Sequence, residues 1–344
     1  MTSVDIVVSS GETLAIGSAG FLEIFGATLT VDSLGYVVIQ NTGGAGISNA
    51  GGTIMNSGTV TIENTGGTSN GIYNYGGILD NYGTITIENG AGSYDGIESY
   101  QGTVNNYATM SVENTGGTGV ENFQGTFTNS GTITIENSGA GTTGIYNNDG
   151  TLTNSGTITI ENSGAGSMGI NNFNGNFSSS GTITIENSGG SPYGINNYIG
   201  TFTNTGTITI EDSGAGSLGI ENTAESNDIG TIYNYGTINV ENTGGTGVEN
   251  YGAFTNEEDA TITVYCGASF VNEFLSTFVN DGTYTVESCT GSSTSSTTST
   301  SSTSSTPSVP EFPSTIEPYA PLVLVALLLP LLLILKRKLR VPLS

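Results

Sequence analysis

The sequence predicts an all-β fold, a parallel, three-sided β-helix solenoid with coils of about 25 residues. Three observations point there. The segment Gly-Thr-Ile-Thr-Ile-Glu-Asn recurs at Gly131–Asn137, Gly156–Asn162 and Gly181–Asn187, and with a final Asp at Gly206–Asp212. Each repeat divides into three short apolar-polar runs, each closed by a Gly- or Asn-containing turn. The 53 glycines, set among Ser, Thr and Asn, leave Ile, Val, Leu, Tyr and Phe as the main apolar residues. That mixture favours strands and turns and shows no helical period.

The motif glutamates give the period. Glu63, Glu88, Glu113, Glu136, Glu161, Glu186, Glu211 and Glu241 are separated by 25, 25, 23, 25, 25, 25 and 30 residues, the last interval containing an insertion near residues 224–229. A hexapeptide left-handed helix fits worse, because 25 is not a multiple of six. A leucine-rich repeat lacks its helical segment here. In the repeat 131–155 the strands are Thr132–Asn137, Gly144–Asn147 and Thr151–Asn154. Alternation sends Ile133 and Ile135 inward and Thr132, Thr134 and Glu136 outward, with Ile145 and Leu152 inward on the other two strands. Every strand ends apolar-x-Asn. These asparagines are expected to take the left-handed conformation at a corner and to hydrogen-bond their counterparts in the next coil. One repeat has too few apolar residues for a core of its own, so stacking must supply it. The general preference for right-handed parallel connections sets the expected hand. About ten coils would give a rod near 50 Å long.

The ends depart from the consensus. Residues 1–34 read as N-terminal coils or a cap, 35–252 as the repeats and 253–289 as C-terminal coils or a cap rich in Phe254, Phe270, Phe274 and Phe278. Cys266 and Cys289 are 23 residues apart, close to one coil, so a structural disulfide between stacked strands is expected ahead of two free thiols. From 290 to 309, 17 of 20 residues are Ser or Thr, which cannot build a core and reads as a disordered linker of the kind that forms O-glycosylated stalks. One N-glycosylation sequon precedes it, Asn176-Phe-Ser178.

Charge narrows the function. All 30 carboxylates lie before residue 318, and all four cations form one cluster at Lys336, Arg337, Lys338 and Arg340. With no cation over the repeats, nucleic-acid binding is excluded, and so is attraction of the repeats to an anionic membrane surface. Residues 319–335 are almost wholly apolar, contain Pro321 and Pro330, and precede the basic cluster. They read as one transmembrane helix with a cytoplasmic basic tail, which places the repeats outside the cell.

Immediately before the span stands Pro310-Glu311-Phe312. A Pro-Glu-Phe tripeptide, an apolar span and a terminal Lys/Arg cluster, following a Ser/Thr stalk, together resemble the PEF-type C-terminal sorting signal of archaeal cell-surface proteins. The resemblance covers about residues 309–340. It implies recognition of Pro310, Glu311 and Phe312 by a membrane sorting enzyme, an archaeosortase, with removal of the span and attachment of the ectodomain to a membrane anchor. It implies nothing about the repeats. Residues 1–10 lack a basic segment and a long apolar run, so the recorded start is expected to be truncated relative to an exported protein.

Histidine is absent and lysine is confined to the C-terminal cluster, which removes the usual general bases and lyase cations from the repeats. Two-carboxylate hydrolysis is the remaining catalytic option. The carboxylates off the consensus are Asp80, Asp95, Asp149, Asp228, Glu257, Glu258 and Asp259, and each is expected in a solvated turn. Short connections leave little to wall a cleft. The outward glutamates, among them Glu136, Glu161, Glu186 and Glu211, should form a ladder about 5 Å apart, which salt would screen or Ca²⁺ would bridge. No other cofactor is expected. Rings at Tyr75, Tyr100, Phe123, Phe173, Tyr198 and Tyr251 are expected to pack on one another, with sugar stacking as the alternative. The reading that results is a non-catalytic structural or adhesive protein of the cell envelope. Its expected partners are the membrane, a sorting enzyme, and surface glycans or neighbouring envelope proteins. The alternatives are a carbohydrate-binding or carbohydrate-cleaving β-helix and a Ca²⁺-binding envelope component.

Overall fold

The structure is a computed structural model. It describes residues 4–287 except 18–19, 42–44, 65–69, 90–93, 115, 138, 163, 188–192, 213–215, 226–227, 243–244, 266–267 and 274–275. The expected stalk, sorting motif, membrane span and basic tail, and Cys266, Phe274 and Cys289, lie outside the described residues.

Three sheets run along the described residues, two of twelve stacked strands and the third of eleven, each strand pairing with the equivalent strand one coil away. The first face holds four-residue strands such as Thr151–Asn154. The second holds six-residue strands such as Thr157–Asn162. The third holds strands such as Met168–Phe173. Apart from one pairing, every ladder between named strands is parallel, as the repeat predicts. The exception is Asp228–Ile229, which turns back antiparallel on Leu218–Glu225 and accommodates the insertion that lengthens the last glutamate interval. The twelve levels of the first two faces exceed the ten counted from consensus copies because the irregular ends contribute coils of their own, such as Ile6–Val8 paired to Thr28–Val31.

The alternation reads as expected. Ile133 and Ile135 are fully buried, while Thr132 and Glu136 are exposed. On the first face the inward column includes Phe127, Leu152, Phe177 and Phe202, with the rings of Phe177 and Phe202 stacked at 4.7 Å. One continuous cluster of buried apolar residues runs from Val8 to Ala268. At its C-terminal end Phe254, Phe270, Phe278 and Tyr284 meet edge-on or tilted.

The strand-closing asparagines differ from expectation in one respect. They form ladders: Asn122, Asn147, Asn172, Asn197, Asn222 and Asn250 are wholly buried, and each Nδ2 donates to the next Oδ1 at 2.8 Å. They are not left-handed. The positive-φ residues sit two positions later, at Gln101, Gln124, Asp149, Asn174 and Ile199, or at glycine in the earlier coils. The reason is geometric. An extended backbone is needed to aim the amide into the interior, so the reversal falls to a residue whose side chain points outward. Asn147 Nδ2 also donates to Gly150 O at 3.1 Å, so each amide ties its own corner as well as the next coil.

Candidate functional site

Two outer faces carry chemistry. On the second face the motif glutamates stand in register from Glu63 to Glu241, eight in a row, bounded by Gln40 and Tyr265. Adjacent parallel strands lie about 4.8 Å apart, so the row is a linear comb of like charges. Glu136, Glu161, Glu186 and Glu211 belong to it and are exposed. Among the described residues, no group of three or more Asp, Glu, His or Cys side chains is arranged to hold a metal ion. The comb can concentrate cations, and any Ca²⁺ on it would draw its carboxylates from neighbouring coils.

The third face is less regular. Two positions before each corner asparagine is buried an apolar residue, and the residue between them points outward. That outward row reads Tyr73, Glu98, Glu121, Tyr146 over four coils. Asp95, in the turn that precedes the Ile97–Tyr100 strand, lies beside it and is half-buried. Glu121 donates a hydrogen bond to Asp95, and the backbone N–H of Thr118 donates to Asp95 Oδ1 at 2.9 Å. Asn70 completes the group. Its Nδ2 donates to Glu98 Oε2 at 2.5 Å, and its Oδ1 accepts from the Asp95 N–H at 3.0 Å.

Three carboxyls this close cannot all ionise cheaply. Burial raises the Glu121 carboxyl first, and its hydrogen bond to Asp95 and the charges of Asp95 and Glu98 raise it further, to about 8. Burial also raises Asp95, while the bonds it accepts from Glu121 and Thr118 hold it down. The pair therefore shares one proton at neutral pH, resident on Glu121. Glu98 is raised by burial and by Asp95, against the Asn70 bond. Tyr73 and Tyr146, the flanking phenols, are raised by burial and then by Glu98 and Glu121 respectively. Glu221 and Glu249 repeat the row position lower on the same face, and Tyr251 donates to Glu249 Oε1 at 2.8 Å.

Asp95 thus departs from the expectation of a solvated turn, because neighbouring coils bring Glu121 and Thr118 onto its carboxyl. Of the other off-consensus carboxylates, Asp80 accepts from Asn105 at 2.8 Å and Asp149 from Asn174 at 2.6 Å, each across one coil. Asp228, Glu258 and Asp259 are exposed, and Glu257 is partly so. Glu98 and Glu121 went unread as a site because each looks, alone, like one more polar strand residue. The available signal was their shared repeat position in successive coils.

The outward ring column of this face packs on itself as expected, except at Tyr251, which stands beside Thr223 and bonds to Glu249 instead. Tyr75 and Tyr100 stack at 5.4 Å, Tyr100 and Phe123 at 4.9 Å, and Phe173 and Tyr198 at 5.0 Å. At the corner between the first and second faces Tyr82 and Tyr107 stack at 4.7 Å. Stacking along the rod covers both faces of Tyr100. A ligand can reach ring faces only where a column is interrupted.

The strands that lead to the two cysteines, Thr261–Tyr265 and Thr283–Glu287, are register partners in adjacent coils. Cys266, Cys289 and the Pro310, Glu311 and Phe312 motif are outside the described residues. No protein-family model matches the chain, and no curated protein or solved structure is significantly similar to it.

Proposed function

We propose that the chain is a non-catalytic structural or adhesive rod of the cell envelope, displayed outside the cell and tethered through its C-terminus. The observation that supports this most is the unbroken register of the three faces, twelve levels on two of them and eleven on the third. Side chains are committed to the stacked interior or to repeating outer rows, the economy of a spacer. The acidic repeat region, with no Lys or Arg before residue 336, suits a soluble, self-repelling exterior in saline surroundings. The Ser/Thr run at 290–309, Pro310-Glu311-Phe312, the apolar segment at 319–335 and the basic cluster supply the tether and the resemblance to an archaeosortase substrate. On this reading the partners are the membrane and a sorting enzyme, with envelope proteins or glycans as neighbours.

Immunogold labelling of intact source cells with antibody against residues 131–212 tests the reading. Even label over the surface supports a structural coat, and label gathered at cell contacts supports adhesion. Label confined to the cytoplasm sinks both.

The proton-sharing pair on the third face favours a second reading, carbohydrate recognition. It argues against cleavage. Carboxyls joined by a hydrogen bond stand closer than the roughly 5 Å that a retaining glycosidase uses, and far closer than an inverting one. The Ca²⁺ alternative is tested by thermal unfolding at matched ionic strength. A higher midpoint in about millimolar Ca²⁺ supports bridging of the glutamate comb, and no change refutes it.

A further inference from the structure

The ring column of the third face is interrupted at three levels, by Ala50, Asn148 and Thr223, and only Ala50 places no polar side chain in its gap. From the N-terminal end the column reads Phe25, Ala50, Tyr75, Tyr100, Phe123 in successive coils. Phe25 is 64% and Tyr75 49% exposed. Between them stands only a methyl group. Two coil spacings separate the ring-bearing positions, about 9.6 Å. Rings stacked between adjacent coils are 4.7 to 5.4 Å apart, so the gap has room for one further ring. The second interruption, between Phe123 and Phe173, carries the longer Asn148.

The corners beside the Asn148 and Ala50 gaps differ in the same sense. Next to Asn148 the corner residues are Gln124, Asp149 and Asn174, with Asn174 bonded to Asp149 at 2.6 Å. Next to Ala50 they are Gly26, Gly51 and Gly76, with φ of 57°, 65° and 62°. A Cβ built on any of the three would meet nothing within 4 Å. The gap at Ala50 is therefore open sideways to solvent. On its other side, two residues earlier on each strand, stand Glu23, Ser48 and Tyr73 in register.

We infer that the Phe25–Ala50–Tyr75 gap is a binding slot for one neutral pyranose unit of a glycan. A pyranose offers polarised C–H groups to aromatic faces, and its hydroxyls project at the rim. The slot matches this with rings above and below and a carboxylate and hydroxyls alongside. A bare aromatic side chain would leave that polar rim unused. An anionic sugar is excluded, because Glu23 borders the slot and no Lys or Arg occurs before residue 336. This inference stands apart from the envelope-rod reading, which survives its failure.

The test is an array of neutral hexose and N-acetylhexosamine oligosaccharides probed with the full chain and three variants. Ala50→Tyr fills the slot, Tyr75→Ala removes a wall, and Asn148→Ala alters the gap that Asn148 occupies. All three positions face outward, so thermal unfolding confirms that each variant folds. At least one oligosaccharide is expected to bind the parent chain. Ala50→Tyr and Tyr75→Ala are each expected to weaken it by about tenfold or more, with Asn148→Ala unchanged. Failure of every oligosaccharide to bind overturns the inference, as does binding that Ala50→Tyr leaves intact. Loss of self-association in Ala50→Tyr without any sugar binding overturns it too, in favour of a ring from a second copy.

Discussion

Asn147 shows how much a single position carries. Its amide accepts from Asn122 and donates to Asn172, to the corner carbonyl of Gly150 and to the carbonyl of Asn176 in the next coil. Asn147→Ala orphans buried groups on both sides, and the expected loss is roughly 2–4 kcal/mol. Asn148→Ala, one residue on and facing outward, is expected to stay within about 0.5 kcal/mol. Denaturant melts of the two variants check the contrast. Each ladder also has a direction, since donation runs toward the C-terminus. On the third face the first member is left with an unpaired acceptor, as at Asn49 and Asn122 Oδ1, whereas Asn56 and Asn204, which begin ladders on the first face, accept from the N–H of Gly58 and Gly206. The ladder itself was legible from the apolar-x-Asn ending. The placing of the left-handed residue was not, because an Asn rule for turns competes with the need to aim the amide inward. Glu121 makes a second prediction. Its carboxyl is raised from an ordinary 4.5 to about 8 on folding. The folded state thus holds a proton that the unfolded state has released across that window. The contribution is fully present below 4.5 and lost as pH rises through 8. Glu121→Gln cannot ionise and keeps the donor to Asp95. It should flatten this slope and exceed the parent at pH 9 by roughly 1–2 kcal/mol, discounted for partial exposure. Melting midpoints at pH 5 and 9 decide it.

At the scale of the strand and its corner, the six-residue strands of the second face form the most regular element and were the easiest to read. Their Thr-Ile-Thr-Ile-Glu alternation leaves one register that buries both isoleucines. The glutamates follow into a comb without any choice of their own. Such a comb is tolerated because its members are exposed and screened. Raising NaCl from about 0.05 to 0.5 M is therefore expected to raise the unfolding midpoint, where a chain of balanced charge would change little. The corner into the third face is constrained from inside. Gly169 passes directly over the core, where a Cβ would come within 2.5 Å of Ile185 Cγ2 and of Gly194 O. Gly169→Ala should cost roughly 1–3 kcal/mol by overpacking, read as a lower midpoint. The carboxyl cluster around Asp95 escaped the sequence for an opposite reason. It is assembled from three coils, and its members occupy positions that elsewhere hold Tyr or Asn. Only the register shows that Glu98 and Glu121 are neighbours and that Asp95 faces them.

The described residues form a one-dimensional stack in which each level rests on the next. The repeat period, the three faces and the inward columns were all visible in the spacing of Ile, Asn and Glu. The gap at Ala50 was visible only as an absence in one column once the register was known. If stability is a sum over like neighbours, the rod should tolerate loss of a whole level but not part of one. Deleting residues 132–156 removes one strand from each face and joins Gly131 to Thr157, a junction the native repeat already uses. The measurement that bears most directly on the stacked-rod account is thermal unfolding of this deletion beside one of residues 132–143, with small-angle scattering of each. The account predicts that the one-coil deletion stays folded, melts cooperatively close to the parent and is shorter by about 5 Å. The partial deletion should lose its cooperative transition. An unfolded one-coil deletion, or a partial deletion as stable as the parent, would contradict the account.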